Sequence, residues 1–276
     1  MKPRPFDYVR PDTVDEVLAL LTEYGDDARI LAGGQSLIPM LNLRLIDAAV
    51  LIDISRIAEL GEIRDGPTSV EIGAAVTQNA LLAWPQLAQR LPLVAAALPF
   101  VGHFQTRNKG TVGGSIAHAD PSSELPLALA VYGGDVVLRS QARGERVLSV
   151  SQFQKGMLAT AREPDELITA AHFPTLAGWG AGFREVARRH GDFAIVAVAA
   201  LVMGEWAHVG VGGLIGRPVV TPVRADVARE RPNDWFREWL DHFESFDDLH
   251  ASAAMRHDMC RKLIPEVLAE AQSCFR

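Results

Sequence analysis

Apolar residues Val14, Val17, Leu18 and Leu21 recur at three- and four-residue intervals, the spacing that lines one face of an α-helix. Thr13 and Glu16 frame its start as a capping box, and Gly25 can close it in a left-handed turn. The short apolar run Arg29-Ile30-Leu31-Ala32 ends at Gly33-Gly34, so it reads as a strand entering a turn. Further strands are expected at 49–54 and around Val70-Glu71-Ile72-Gly73, and helices at 77–84, 87–98 and 125–132. Strands are expected again at 135–139, 146–150 and 166–173, with Leu167, Thr169 and Ala171 on one face. Between these elements lies a long polar segment, residues 106–124, rich in glycine and small side chains. A loop of that length inside a compact domain is usually functional or mobile.

Proline and glycine interrupt the pattern from Pro174 to Gly178. A domain boundary is placed there, dividing the chain into 1–176 and 177–276. Beyond it, 182–189, 194–203 and 208–214 read as three strands of an antiparallel meander. Trp235, Phe236, Trp239 and the stretch 253–271 have helical spacing, with Pro265 expected to kink or split the last helix. The aromatic stripe of the 235 region suits a core face better than a docking surface. The result is an α+β chain: a larger α/β domain followed by a small α+β domain with a three-stranded antiparallel sheet and helices.

The chain has 276 residues, 48% of them hydrophobic and 22% charged, and a net charge of −7. That length favours two domains, and the acidic balance speaks against nucleic acid as a partner. Two cysteines, Cys260 and Cys274, are too few for a disulfide framework or an iron–sulfur cluster within the chain. No apolar run is long enough for a membrane span, and the start Met1-Lys2-Pro3-Arg4-Pro5-Phe6-Asp7 has no apolar signal core. The expected setting is cytoplasmic.

Two glycine turns carry the candidate chemistry. Gly33-Gly34-Gln35-Ser36 follows a strand, where successive backbone amides can form a concave anion site. Alone, it is equally an ordinary strand exit. Thr111-Val112-Gly113-Gly114-Ser115 supplies a second glycine pair flanked by hydroxyls, followed by His118, Asp120, Ser122 and Ser123. Two such turns from separate parts of one domain could hold the diphosphate of a dinucleotide between them, with Arg107 and Lys109 offsetting its charge. A third glycine run, Gly210-Val211-Gly212-Gly213-Leu214-Ile215-Gly216, resembles a Rossmann fingerprint. It leads into Arg217-Pro218 rather than a helix, so it reads as a closely packed strand. No nucleophile elbow, Walker loop or zinc-protease motif is present.

The segments Ala32-Gly33-Gly34-Gln35-Ser36-Leu37 and Arg107 to Gly114 resemble the medium, FAD-binding subunit of molybdenum hydroxylases, the xanthine dehydrogenase and carbon monoxide dehydrogenase group. The likeness extends through Phe6-Asp7-Tyr8, Phe183 to Ala194, Pro222-Val223-Arg224 and Ala251 to Arg256. It implies a FAD-binding domain of two α/β subdomains, of the vanillyl-alcohol-oxidase or PCMH type, with noncovalent FAD between them. Carried onto matching positions, Ala32, Gly33, Gly34, Gln35, Ser36 and Leu37 would wrap the pyrophosphate. Thr111, Gly113, Gly114, Ser115 and Ala117 would hold the cofactor from the second turn, with Asp120 and Ser123 nearby. Leu167 and Arg184 would line its pocket, and Phe193 would lie beside the isoalloxazine ring. Ser115 stands where asparagine is frequent in the family, Glu124 where aspartate is frequent, and Arg184 where lysine is commoner.

The resemblance implies an electron-transfer subunit. Substrate would be hydroxylated at molybdopterin cytosine dinucleotide on a large partner chain. Electrons would cross two [2Fe–2S] clusters on a small partner chain and leave through the flavin to an external acceptor, in a dimer of heterotrimers. Two alternatives stand beside it. One is a self-contained flavin oxidase of the vanillyl-alcohol type, with His118 as a candidate for a covalent link. The other is a flavin-free scaffold subunit.

Overall fold

The computed structural model describes residues 2–175, 178–231 and 234–274. Strands Asp7–Val9, Val50–Asp53 and Ala28–Leu31 form a parallel sheet in that spatial order. Helix Val14–Tyr24 buries Val14, Val17, Leu18 and Leu21 against Val50 and Ile52 of this sheet. Its cap is close to the expected box: Thr13 Oγ1 accepts from the Glu16 amide at 3.2 Å, but Glu16 reaches back to the Asp12 amide, at 2.8 Å, rather than to Thr13. Gly25 closes the helix at φ +50°, as expected.

Ile63–Asp65, Ser69–Gly73, Glu166–Pro174, Asp135–Ser140 and Gly144–Ser149 form a five-stranded antiparallel sheet in that order. The central strand Glu166–Pro174 shifts register between Ile168 and Ala170. At this bulge the Thr169 carbonyl accepts from the Ala74 amide at 2.9 Å. The bulge overturns the expected alternation of Leu167, Thr169 and Ala171. An extra residue flips the faces beyond it, so Ile168, Ala171 and Phe173 enter one core while Leu167 faces another.

Trp179–Val186, Val196–Met203, Trp206–Gly212 and Val219–Arg224 form a four-stranded antiparallel sheet. The meander is therefore one strand larger than expected. Pro218 and Pro222 mask the fourth strand in the sequence, yet proline is tolerated at a sheet edge, which this strand occupies. Val196–Met203 is buried on both faces. Ala197, Ala199 and Leu201 join a core with the five-stranded sheet and with helices Pro92–Ala97 and Glu124–Tyr132. Val196, Val198, Ala200 and Val202 instead pack with Ile264, Val267 and Leu268 of helix Ala253–Cys274. Helix Glu124–Tyr132 is apolar all round because it is sandwiched inside that first core.

Helix Ala253–Cys274 runs unbroken through Pro265, so of the expected kink or split the split does not occur. Its apolar face is pressed so closely to the sheet that a Cβ on Gly182 would lie 2.2 Å from the Val267 carbonyl oxygen. Pro92, by contrast, does divide the expected 87–98 helix into Leu87–Arg90 and Pro92–Ala97, sitting at the first turn of the second piece. Gly210 meets Val131 of the buried helix, where a Cβ would be 2.4 Å from Val131 Cγ2, so the third glycine run is a packing feature as expected. Phe236 is buried and Trp235 and Trp239 pack beside it in the core. The boundary placed at 176–177 lies outside the described residues. No helix among the described residues is long and apolar enough to cross a membrane.

Candidate functional site

The first turn leaves strand Ala28–Leu31 and enters helix Leu37–Asn42. Gly34 takes φ +71°, a conformation that disfavours any side chain. Gly33 is required for a different reason: a Cβ there would stand 2.0 Å from the Lys109 carbonyl oxygen. The turn is thus pressed against the residues that lead into Thr111, and the two glycine segments are neighbours in space. Among the described residues, the amides of Gly33, Gly34, Gln35 and Ser36 donate to no backbone carbonyl. They form an open set of donors, which suits an anion.

The second segment is not the long loop expected from its composition. Phe104–Arg107 and Val112–His118 are helices, and Thr111 caps the latter by accepting from the Gly114 amide at 3.0 Å. Its amides are committed. Val112 donates to Val76 at 3.0 Å, Gly113 to Ala74 at 3.2 Å and Ser115 to Thr111 at 3.1 Å. Gly113 is pinned by the same contact, since its Cβ would lie 2.6 Å from Ala74 Cα. The expectation that both turns offer backbone amides to one ligand is corrected here: the first turn presents them, while the second spends its own on residues 74–76 and on Thr111. What the second turn leaves for a ligand is hydroxyls and close glycine approach.

Between the segments lies a cleft of about 520 Å³, within the usual range of ligand sites. Ala32, Gly33, Gly34, Gln35, Ser36 and Leu37 line it, as do Thr111, Gly113, Gly114, Ser115, Ala117, Ser123, Leu167 and Phe193. Phe193 is well exposed, beside Gly191 and Asp192. Arg184 is elsewhere: its guanidinium pairs with Glu270 at 3.2 Å and Glu266 at 3.5 Å on the last helix, and it is not part of the cleft wall. Asp120 is also off the wall and folds its own turn, accepting from the Ser122 amide at 2.8 Å. Arg107 spends its guanidinium on the carbonyls of Val101 and Gly102, both at 2.9 Å, so it braces the loop rather than balancing phosphate.

Gln78, Arg29 and Arg162 line the cleft without a signal in the sequence, alongside His118 and Glu124, which the sequence does single out. Gln78 is buried with its Oε1 unpartnered, leaving an acceptor against the cleft. Arg29 and Arg162 also line the wall, Arg29 donating to the Ala28 carbonyl at 2.8 Å and Arg162 to the Glu166 carbonyl at 2.7 Å; burial first, then Arg29, depresses the Arg162 guanidinium below its usual range. Glu124, the first residue of the buried helix, also lines the cleft. Burial, with repulsion from Glu185 and Asp120, pushes it up to about 8, and burial raises Glu185 to about 7. His118 lines the cleft half-buried, and burial lowers it. No local motif marks Gln78 or Arg162, because strands and loops distant in sequence bring them to the wall. Among the described residues no group of three or more metal-ligating side chains is assembled, and Cys260 and Cys274 are free.

A dinucleotide such as FAD fits these residues. The open amides suit a diphosphate, Gln78 Oε1 awaits a donor, and the glycines remove the atoms that would block close approach. A sequence profile for the FAD-binding domain in molybdopterin dehydrogenase matches residues 4–176. The chain is similar to caffeine dehydrogenase subunit beta of Pseudomonas sp. strain CBB1, 37% identical over 82% of this chain and 84% of that one. It is also similar to the nicotine 6-hydroxylase medium subunit of Paenarthrobacter nicotinovorans, 33% identical over 96% of each chain. Among solved structures, a chain of reconstituted CO dehydrogenase from Oligotropha carboxidovorans superposes with a TM-score of 0.91 at 31% identity, over 99% of this chain and 100% of that one.

Proposed function

The chain belongs to the FAD-binding family of the molybdopterin dehydrogenases, and from that premise we propose that it is the flavoprotein subunit of a heteromeric molybdenum hydroxylase, holding FAD noncovalently in the cleft between its glycine turns. The observation that carries this reading is the pairing of an open row of amides at 33–36 with a second, self-clamped glycine turn at the same wall. The flavin, when bound, supplies two-electron redox chemistry; the protein binds and orients it. The amides of residues 33–36 receive the diphosphate. Thr111 and Ser115 add hydroxyls, and Leu167 and Ile168 present an apolar wall. Phe193, at the exposed side, would cover a ring system seated there.

In this reading a large partner subunit carries the molybdopterin centre where substrate is hydroxylated. A small partner subunit carries two [2Fe–2S] clusters, and electrons pass by way of this chain to an external acceptor. The assembly would be a dimer of heterotrimers in the cytoplasm. Full-length protein mixed with FAD should become yellow and quench flavin fluorescence, and denaturation should release all the flavin. Failure to bind FAD would overturn the reading, and flavin retained on the denatured chain would favour a covalent oxidase instead.

A further inference from the structure

We propose that Gln78 reads the ring end of the dinucleotide, its carboxamide pairing with the imide edge of the flavin, where an N–H stands between two carbonyls. The inference rests on the reading of the cleft as an FAD site. Gln78 opens helix Gln78–Leu82 and lines the cleft, although it is only 5% exposed. Its main chain is anchored, the amide donating to the Gly110 carbonyl at 2.8 Å. Its side chain is not. Oε1 is buried without a partner, and among the described residues the carboxamide bonds to nothing. A buried carboxamide that uses neither its donor nor its acceptor is destabilising, and an apolar side chain of the same size would fill the space without that penalty. A partner supplied by a ligand removes it.

Glycines make the slot and show which end of the cleft it occupies. A Cβ on Gly110 would stand 2.8 Å from Gln78 Oε1 and 3.1 Å from the Thr106 carbonyl oxygen. One on Gly102 would lie 2.9 Å from Thr106 Cγ2, and one on Gly191 would lie 3.0 Å from the Gly102 carbonyl carbon. Gln78, Gly110, Thr106, Gly102 and Gly191 are therefore one continuous stretch of wall, which runs on through Asp192 to Phe193. Phe193 is well exposed, so a ring seated beneath it is the one that electrons from outside can reach. That ring is the flavin and not the adenine.

The chemistry of the side chain narrows the contact further. A carboxamide offers an N–H donor beside a C=O acceptor in one plane. A diphosphate only accepts, and the dimethylbenzene edge of a flavin does neither. Its imide edge presents an acceptor and a donor side by side, so one carboxamide satisfies both. Gln78 is thus a positioning residue that fixes how the ring lies, while the amides of residues 33–36 hold the diphosphate.

The test is calorimetric titration of the full-length chain and of Gln78→Leu with three ligands: FAD, FAD methylated at the imide nitrogen, and ADP. Wild type should bind the methylated FAD about tenfold or more weakly than FAD. Gln78→Leu should bind FAD about tenfold to a hundredfold more weakly than wild type, no longer distinguish FAD from its methylated form, and bind ADP as wild type does. Without ligand, its urea midpoint should equal or exceed that of wild type, because leucine removes an orphaned polar group; a merely structural glutamine would lower it. An unchanged FAD affinity in Gln78→Leu, an ADP affinity that falls in parallel, a methylation penalty that survives the substitution, or a lowered urea midpoint overturns the proposal while wild-type FAD binding stands. If wild type binds neither FAD nor ADP, the flavin assignment itself fails and the proposal falls with it.

Discussion

Single residues hold this cleft to tolerances of less than an atom. Gly33 and Gly25 differ in why they are glycine. Gly25 has φ +50° and ψ −123° with nothing within 4 Å of a built Cβ, so Gly25→Ala should cost about 1–3 kcal/mol, all of it backbone strain. Gly33→Ala forces a methyl into the Lys109 carbonyl, an overpacking that should remove about 3 kcal/mol. Urea unfolding of both variants checks the difference, and only Gly33→Ala should also lose FAD. Arg256 is a second such residue. Buried at 2% exposure, it donates to the Ile195 and Gly213 carbonyls at 2.6 and 2.9 Å, pairs with Asp248 at 2.6 Å, and lies over the Phe246 ring. Arg256→Met leaves two buried carbonyls without a donor, and chemical denaturation should report a loss of about 3 kcal/mol or more.

Elements were legible where local spacing decides them and obscure where packing does. The first helix could be read from Thr13, Val17 and Leu21 because cap and apolar stripe agree. The bulge at Thr169 and the helix Val112–His118 could not. One needs the Ala74 amide from the turn after strand Ser69–Gly73, and the other carries two glycines in its first turn whose low helix propensity is outweighed by contacts to residues 74–76. The same limit applies to the site: the glycine turns stand out in the sequence, whereas Gln78, Arg162 and the true position of Arg184 depend on elements folded together from afar. Pro265 makes the point experimentally. It removes an amide donor within helix Ala253–Cys274, so Pro265→Ala should raise stability by about 1–3 kcal/mol. Gly182→Ala, at the sheet face of the same helix, should lower it by a comparable amount because its Cβ meets the Val267 carbonyl. Opposite shifts in urea midpoint from two substitutions to alanine would show that sheet packing keeps the helix whole.

For the molecule as a whole, buried acids set the response to pH. Glu124 and Glu185 sit at about 8 and about 7 when folded, against about 4.3 for an unfolded glutamate. The folded chain therefore holds more protons between those values, and these groups make stability fall as pH rises from about 4.5 to about 8. Glu166 acts in the other direction. Burial alone would raise it, but the Arg146 guanidinium and the Glu163 amide hold it below the usual range, so its contribution is lost as pH falls through that depressed value. Urea midpoints should therefore peak on the acid side of neutrality, and E124Q should flatten the alkaline decline.

The clamp between residues 74–78 and 110–113 consists entirely of protein atoms. An empty cleft consequently keeps its shape, as a keyhole outlasts the withdrawn key. Stripping the flavin with high salt and bromide should leave a folded chain whose far-ultraviolet circular dichroism is unchanged and which recovers its colour on simple addition of FAD, without any refolding step.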